Sequence, residues 1–152
     1  MNELLCREAA IDDLHHIVAL LADDALGKSR EVTTSGIDVR YINAFHAIDA
    51  SPDQMQTVAE LDGKIVGCMQ LSFLPGLSFH GRWRGQIESV RIASGLRGTG
   101  LGRQYVAWAI GRFRERDCGL VQLNSYKSRA DAVRFYESLG FEATHEGFKL
   151  AL

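Results

Sequence analysis

From Ser94 to Arg103 the chain reads Ser-Gly-Leu-Arg-Gly-Thr-Gly-Leu-Gly-Arg, with Gly95, Gly98, Gly100 and Gly102 inside eight residues. A strand is predicted ahead of this run, from Ile87 to Ala93. A helix is predicted behind it, from about Gly100 to Arg116, with Val106, Ala109, Ile110 and Phe113 as its apolar stripe. The glycines therefore fall where a strand must turn into a helix. Glycine adopts left-handed backbone conformations and lets main-chain N–H groups approach a ligand closely. A helix N-terminus adds unpaired N–H groups and partial positive charge. The combination makes an anion site suited to a phosphate or pyrophosphate, with Arg97 and Arg103 as further donors. On its own the cluster also fits a plain turn with no ligand.

Two better-known phosphate loops do not match. A dinucleotide fingerprint beginning at Gly98 needs a third glycine at position 103, which is Arg103. A P-loop ending in Gly27-Lys28-Ser29 needs an earlier glycine at position 22, which is Ala22, and a helix rather than a strand precedes it.

The rest of the chain frames this junction. A strand is expected from Leu4 to Glu8. An amphipathic helix with Leu14, Ile17, Val18 and Leu21 follows, capped by Asp12 or Asp13. A second helix is expected around Val39 to Ile48. Strands Thr57–Leu61 and Ile65–Phe73 flank Asp62-Gly63, a strong hairpin signal. Leu120–Leu123 reads as a strand. Ala132, Phe135, Tyr136 and Leu139 make the stripe of a last helix, with Gly140 as its C-terminal cap and Phe141 as the accompanying apolar contact. The tail from Phe141 to Leu152 is expected to form one or two short strands. The order β-α-α-β-β-β-α-β-α-β fits an α+β sheet with helices on its faces.

With 152 residues, one domain over 1–152 is expected. The net charge of −2 implies no nucleic-acid face, and no apolar run is long enough to span a bilayer. Met1 to Glu8 lacks the basic-then-apolar order of a secretory leader, so a cytoplasmic protein is expected. Cys6, Cys68 and Cys118 are odd in number and far apart, which argues for reduced thiols. Neither a CxxC nor an HExxH pattern occurs, so no metal site is expected.

Arg97-x-x-Gly100-x-Gly102 resembles the [Gln/Arg]-x-x-Gly-x-[Gly/Ala] motif of the GNAT superfamily of N-acetyltransferases. Ala132-x-x-Phe135-Tyr136-x-x-x-Gly140-Phe141 is similar to that family's second motif, at the right separation. More narrowly, Ile87-Glu88, Arg97 to Gly102 and Arg129 to Phe141 resemble small bacterial members. These include aminoalkylphosphonate acetyltransferases and proteins labelled regulators. Arg129 departs from the pattern: many members carry there an Asn that contacts the cofactor, and Asn124 or Ser128 are the available substitutes.

The resemblance implies an α+β fold with a mixed, mostly antiparallel central sheet flanked by helices on both faces. It implies acetyl-CoA as co-substrate, lying between two splayed strands. The backbone of Val90 and Ile92 would pair with its pantetheine arm. The N–H groups of Gly98, Gly100, Gly102 and Arg103, helped by Arg97, would hold its pyrophosphate. The reaction implied is direct acetyl transfer to the primary amine of a small molecule. Val90 N–H would polarise the thioester carbonyl, Glu88 would act as general base, and Tyr136 would protonate the departing thiolate. For Glu88 the competing role is a structural carboxylate holding a loop arginine. Asp23 and Asp24 are candidates to pair with the acceptor amine, and Arg82 and Arg84 to bind an acidic group. Together they point to a zwitterionic acceptor. A non-catalytic acyl-CoA-binding regulatory domain is the alternative, and a homodimer is the assembly common among small members.

Overall fold

The computed structural model describes residues 2–24, 26–33 and 36–152. Two compact units divide it, Met1–Gln122 and Leu123–Leu152. In the first, strand β1 (Leu5–Glu8) leads through a short 3₁₀ turn into α1 (Leu14–Ala22). A single turn, α2 (Gly27–Arg30), and α3 (Val39–Asp49) follow. The long hairpin of β2 (Gln54–Leu61) and β3 (Lys64–Leu74) comes next. One more turn, α4 (Ser78–Gly81), leads to β4 (Arg84–Ile92), α5 (Leu101–Glu115) and β5 (Leu120–Leu123). The strands lie in the order β1-β2-β3-β4-β5, and β1 to β4 are antiparallel throughout. No helix among the described residues is long and apolar enough to cross a membrane.

Local chemistry explains the joints. Asp62 and Gly63 both have positive φ (54° and 73°), the mirror-image turn that matches strand twist. Asp38 caps α3, its Oδ1 accepting from Arg40 N–H at 2.8 Å. Asp13 stands at the N-cap of α1 but makes no cap bond there. Its carboxylate accepts instead from Ala10 N–H (2.8 Å) and from Arg7 Nη1 (2.7 Å), while Arg7 Nε reaches Glu60 (2.5 Å). Arg7 thereby ties β1, β2 and the start of α1, and holds the Asp13 carboxyl below the usual carboxylate range.

The sheet buries both faces. On one, Val58 and Cys68, paired across β2 and β3, lie beneath Leu14, Ile17, Val18 and Leu20 of α1 and Phe45 of α3. On the other, α5 lays Tyr105 and Phe113 on the sheet. The Tyr105 hydroxyl is 2.6 Å from Thr57 Oγ1, and the Phe113 and Phe73 rings are 5.2 Å apart. Gly85 lets α5 approach β4: a Cβ there would stand 2.3 Å from Phe113 Cδ1. Gly85→Ala should overpack this contact and cost about 2 kcal/mol in urea unfolding, with the slope of the transition unchanged.

The second unit holds α6 (Ala130–Ser138), whose C-terminus is a complete Schellman motif. Gly140, at φ 92°, donates to Glu137 O (3.0 Å), and Phe141 N–H donates to Tyr136 O (3.1 Å). The Tyr136 and Phe141 rings meet edge to face at 5.9 Å, the apolar contact expected there. The tail differs from expectation. Residues 141–152 form neither strand nor helix, because a strand exists only where a partner supplies its ladder bonds.

Candidate active site

β4 carries the first part of the site. Gly67 pairs with Ile92 and Cys68 with Arg91, but Gln70 pairs with Glu88, so Ser89 and Val90 together face Met69. This is a β-bulge, and Ser89 adopts the left-handed region (φ 54°) to make it. A non-glycine residue held there costs on the order of 1 kcal/mol, and such strain concentrates at functional positions.

β5 covers only half of β4. Gly119 N–H donates to Trp83 O (3.0 Å) and Gln122 Nε2 to Gln86 Oε1 (2.8 Å), so the two strands run parallel from that end. Among the described residues, no strand lies beside the outer edge of β4 from Glu88 to Ile92. Ala93 N–H donates to Val66 O (2.8 Å) on the β3 side, so by alternation Val90 and Ile92 present their backbone groups to the open edge. Side chains meet those carbonyls: Arg91 Nη1 donates to Val90 O (2.9 Å) and Arg97 Nε to Ile92 O (3.1 Å).

The open edge runs into the glycine turn. A 3₁₀ turn, Ser94–Leu96, precedes Gly98 (φ 77°) and Gly100 (φ 92°), both left-handed. An added Cβ meets nothing within 4 Å at either position, so backbone conformation and not crowding requires glycine. Gly100 is the N-cap of α5 and supplies no side-chain cap; the first helical bond is Gln104 N–H to Gly100 O (3.2 Å). The first-turn N–H groups of this 15-residue helix are therefore available to an anion.

Arg97 and Asp23 anchor this cradle to the end of α1. Arg97 Nη2 donates to Asp23 O (2.6 Å), and Asp23 Oδ2 accepts from Ser94 N–H (2.9 Å). Asp24 lies 3.4 Å from Arg91 Nε and accepts from Gly27 N–H (2.5 Å). The two aspartates thus have structural partners. Arg82 and Arg84 lie elsewhere: the Arg82 guanidinium stacks on Phe79 at 4.2 Å, and Arg84 opens β4 opposite Leu74. The full length of β4, roughly 25 Å at 3.3 Å per residue, separates these arginines from the Asp23–Asp24 corner. A single small zwitterion cannot touch both, so the expected pairing of acidic and basic pockets is corrected.

Glu88 is exposed beside the bulge, opposite Gln70. Among the described residues no arginine or other side chain engages its carboxylate, which leaves the structural alternative without a partner. Around it lies a surface that sequence patterning missed. Gln54, Ser72 and Gln86 stand opposite one another across β2, β3 and β4. Gln54 Oε1 accepts from Ser72 Oγ (2.7 Å) and Gln70 Nε2 (3.0 Å), and Gln122 joins the row through Gln86. The face that is apolar under α1 becomes an amide-lined floor past Cys68, ending at Glu88. The hint in the sequence is a glutamine in each of four separate strands, with a second at the alternate position in β2.

In the second unit, Tyr136 sits half-buried on α6, its ring edge to face with Phe135 at 5.1 Å. Arg129 is the N-cap of α6, with its guanidinium 5.9 Å from the Tyr126 ring. The cysteines carry no disulfide. Burial pushes the Cys68 thiol up to about 12 and the Cys6 thiol up to about 11.

Comparison with known proteins shows the family of the chain. The profile described as the acetyltransferase (GNAT) family matches residues 17–141. An aminoalkylphosphonate N-acetyltransferase of Salmonella typhimurium strain LT2 is 28% identical over 147 residues, covering 96% of this chain and 90% of that protein. A crystal structure described as a transcriptional regulator from Bacillus halodurans C-125 superposes with a TM-score of 0.95. It is 45% identical, over 99% of this chain and 100% of that one. A putative acetyltransferase from Agrobacterium tumefaciens C58 gives a TM-score of 0.85 at 27% identity, over 97% and 99% of the two chains.

Proposed function

The chain belongs to the acetyltransferase (GNAT) family, and from that premise we propose that it transfers the acetyl group of acetyl-CoA directly to the primary amine of a small polar molecule. One observation carries the reading: a stretch of β4 that has no strand beside its outer edge among the described residues leads straight into a capless, glycine-led helix. That edge offers Val90 and Ile92 to the amides of a pantetheine arm. The N–H groups of Gly98, Gly100, Gly102 and Arg103 would take the pyrophosphate, with Arg97 holding the turn in shape.

The amine nitrogen attacks the thioester carbonyl carbon, the C–S bond breaks, and the CoA thiolate leaves. Val90 N–H, turned outward beside the bulge, is the donor proposed for the developing oxyanion. An alkylamine that titrates near 10 is neutral only about once in a thousand molecules at pH 7, a deficit of roughly 4 kcal/mol. Glu88 is the proposed acceptor of the amine's proton, and Tyr136 the proposed donor to the thiolate. The raised thiols of Cys6 and Cys68 support direct attack, since neither is a ready thiolate nucleophile at neutral pH. Unpaired cysteines also fit a reducing cytoplasm. The acting form is proposed to be a homodimer.

The acceptor would lie over the amide floor, within reach of Glu88. The Salmonella relative makes aminoalkylphosphonates the first compounds to try, beside amino acids and polyamines, in a thiol-release assay. Turnover of at least one class is expected. By calorimetry Gly100→Val should weaken acetyl-CoA binding about tenfold or more. Unchanged affinity would move the pyrophosphate elsewhere. A second reading has the Bacillus halodurans structure, described as a transcriptional regulator, in its favour. On it the fold senses acyl-CoA without chemistry, and CoA would bind with no transfer across the whole panel.

A further inference from the structure

Strand alternation puts Arg84, Gln86 and Glu88 in one row on the amide-floored face of β4. The opposite face of the strand takes Gly85, packed against Phe113, and the buried Ile87. Across β3, Arg84 stands opposite Leu74, Gln86 opposite Ser72 and Glu88 opposite Gln70. The floor therefore has a cation at one end and a carboxylate at the other, about 13 Å apart at 3.3 Å per residue. Side chains rise roughly perpendicular to a sheet, so the two charges keep about that spacing.

Neither end is neutralised within the first unit. Arg84 is half-buried, and no hydrogen bond or ion pair engages its guanidinium among the described residues of that unit. Asp53, the residue before Gln54, is held by Arg116 at 2.8 Å and not by Arg84. Arg82 adds a second positive charge nearby, its guanidinium stacked on Phe79 at 4.2 Å. A half-buried guanidinium is costly to leave without an anion, and its planar fork fits a carboxylate or a phosphate.

Between the ends the floor keeps hydrogen-bonding capacity. Gln70 Nε2 is spent on Gln54 Oε1, and Gln86 Oε1 accepts from Gln122. Gln86 Nε2 and Gln70 Oε1 have no partner among the described residues of the unit, which leaves a donor and an acceptor between Arg84 and Glu88. Such a pair suits the amide or hydroxyl groups of an extended ligand.

We infer that the acceptor is a chain-like molecule laid along β4, with its amine at Glu88, polar groups over Gln86 and Gln70, and a terminal carboxylate or phosphate bound by Arg84. The inference rests on the acetyl-transfer reading above for the place of the amine, and adds the length and the far end of the substrate. The span corresponds to an amine and an anion separated by about three to four extended residues, roughly 10–14 Å. A shorter zwitterion reaches one end only.

Glycine oligomers of one to about five residues, each as the free acid and as the C-terminal amide, measure that span directly. Catalytic efficiency is expected to peak at triglycine or tetraglycine. There the acid should exceed the amide about tenfold or more, whereas glycine should show no such advantage. Diglycine extended by aminoethyl phosphate gives the phosphate arm, and the better of the two anions identifies the natural end group. In Arg84→Met the acid-to-amide ratio should fall to about one, and Arg84→Lys should restore part of it. Because the ratio compares two ligands on the same protein, a loss of folded protein does not change it. A ratio near one in the wild type, a ratio that survives Arg84→Met, or a peak at glycine itself would overturn the inference while leaving acetyl transfer intact. If no oligomer is acetylated, calorimetry on the CoA-loaded protein decides. An acid preference in binding that vanishes in Arg84→Met upholds the span and counts against transfer; equal binding of acid and amide removes the span.

Discussion

Tyr136→Phe is expected to lower kcat about 100-fold while leaving the KM for acetyl-CoA within twofold. The argument starts from what the substitution preserves. The Tyr136 ring packs edge to face with Phe135 (5.1 Å) and Phe141 (5.9 Å), and phenylalanine keeps both contacts. The Schellman turn beneath it uses the backbone carbonyl of Tyr136 and the left-handed Gly140, neither of which changes. Removing the hydroxyl therefore tests one group and not the helix. Positioned proton donors contribute about 10²–10⁴ in rate. The lower end applies here, because a thiolate of ordinary thiol basicity, near 8.5, leaves more readily than an alkoxide or amide. The melting temperature should move by no more than about 2 °C, since 1 kcal/mol shifts a domain of this size by only a few degrees. A full rate in the variant would take Tyr136 out of the mechanism. A large fall in melting temperature with a matching fall in rate would assign the hydroxyl to packing.

Where the backbone itself demanded a residue type, that demand was readable in the chain. Gly98 and Gly100 are glycines because φ is 77° and 92° there, and Asp62-Gly63 turns for a similar reason. Gly140 and Phe141 close α6 through bonds only one turn long. Where geometry came from distant partners, local patterning had nothing to read. Ser89 takes a left-handed conformation usually left to glycine because the β3 register forces a bulge at that place. Gln54-Met55-Gln56 extends β2 three residues beyond its apolar start, since β3 is long enough to pair with it. The amide floor assembles from segments up to 68 residues apart, each with an unremarkable glutamine. Asp23 and Asp24 read as one acidic pair, yet they answer to different arginines, Arg97 and Arg91, more than 60 residues downstream. The tail carries strand periodicity without a strand, because periodicity describes what a segment can bury and not whether a partner is present.

Glu88→Gln is expected to remove the rise of kcat/KM with pH that a general base produces, and to lower the rate about 10²–10³-fold near neutrality. The sign follows from the role. A base works only unprotonated, so activity climbs as pH passes its titration, and glutamine has no proton to lose. The acceptor amine contributes a second climb toward pH 10, where it becomes neutral by itself, and this climb should persist in the variant. Wild-type and variant profiles should therefore diverge most near neutrality, where a base is unprotonated and the amine is not yet neutral, and converge at high pH. Geometry makes the substitution a clean one. Glu88 is exposed at the rim of the bulge, and no partner among the described residues loses a bond when its charge is removed. Its neighbours on the floor, Gln70 and Gln54, are already amides bonded to each other, so one more amide is compatible with the surface. If the variant kept the full acid-side rise with only a uniform drop in rate, Glu88 would be orienting the acceptor and a water or another group would be taking the proton. Convergence at high pH separates these outcomes: a base becomes dispensable once the amine is already neutral, whereas an orienting group does not.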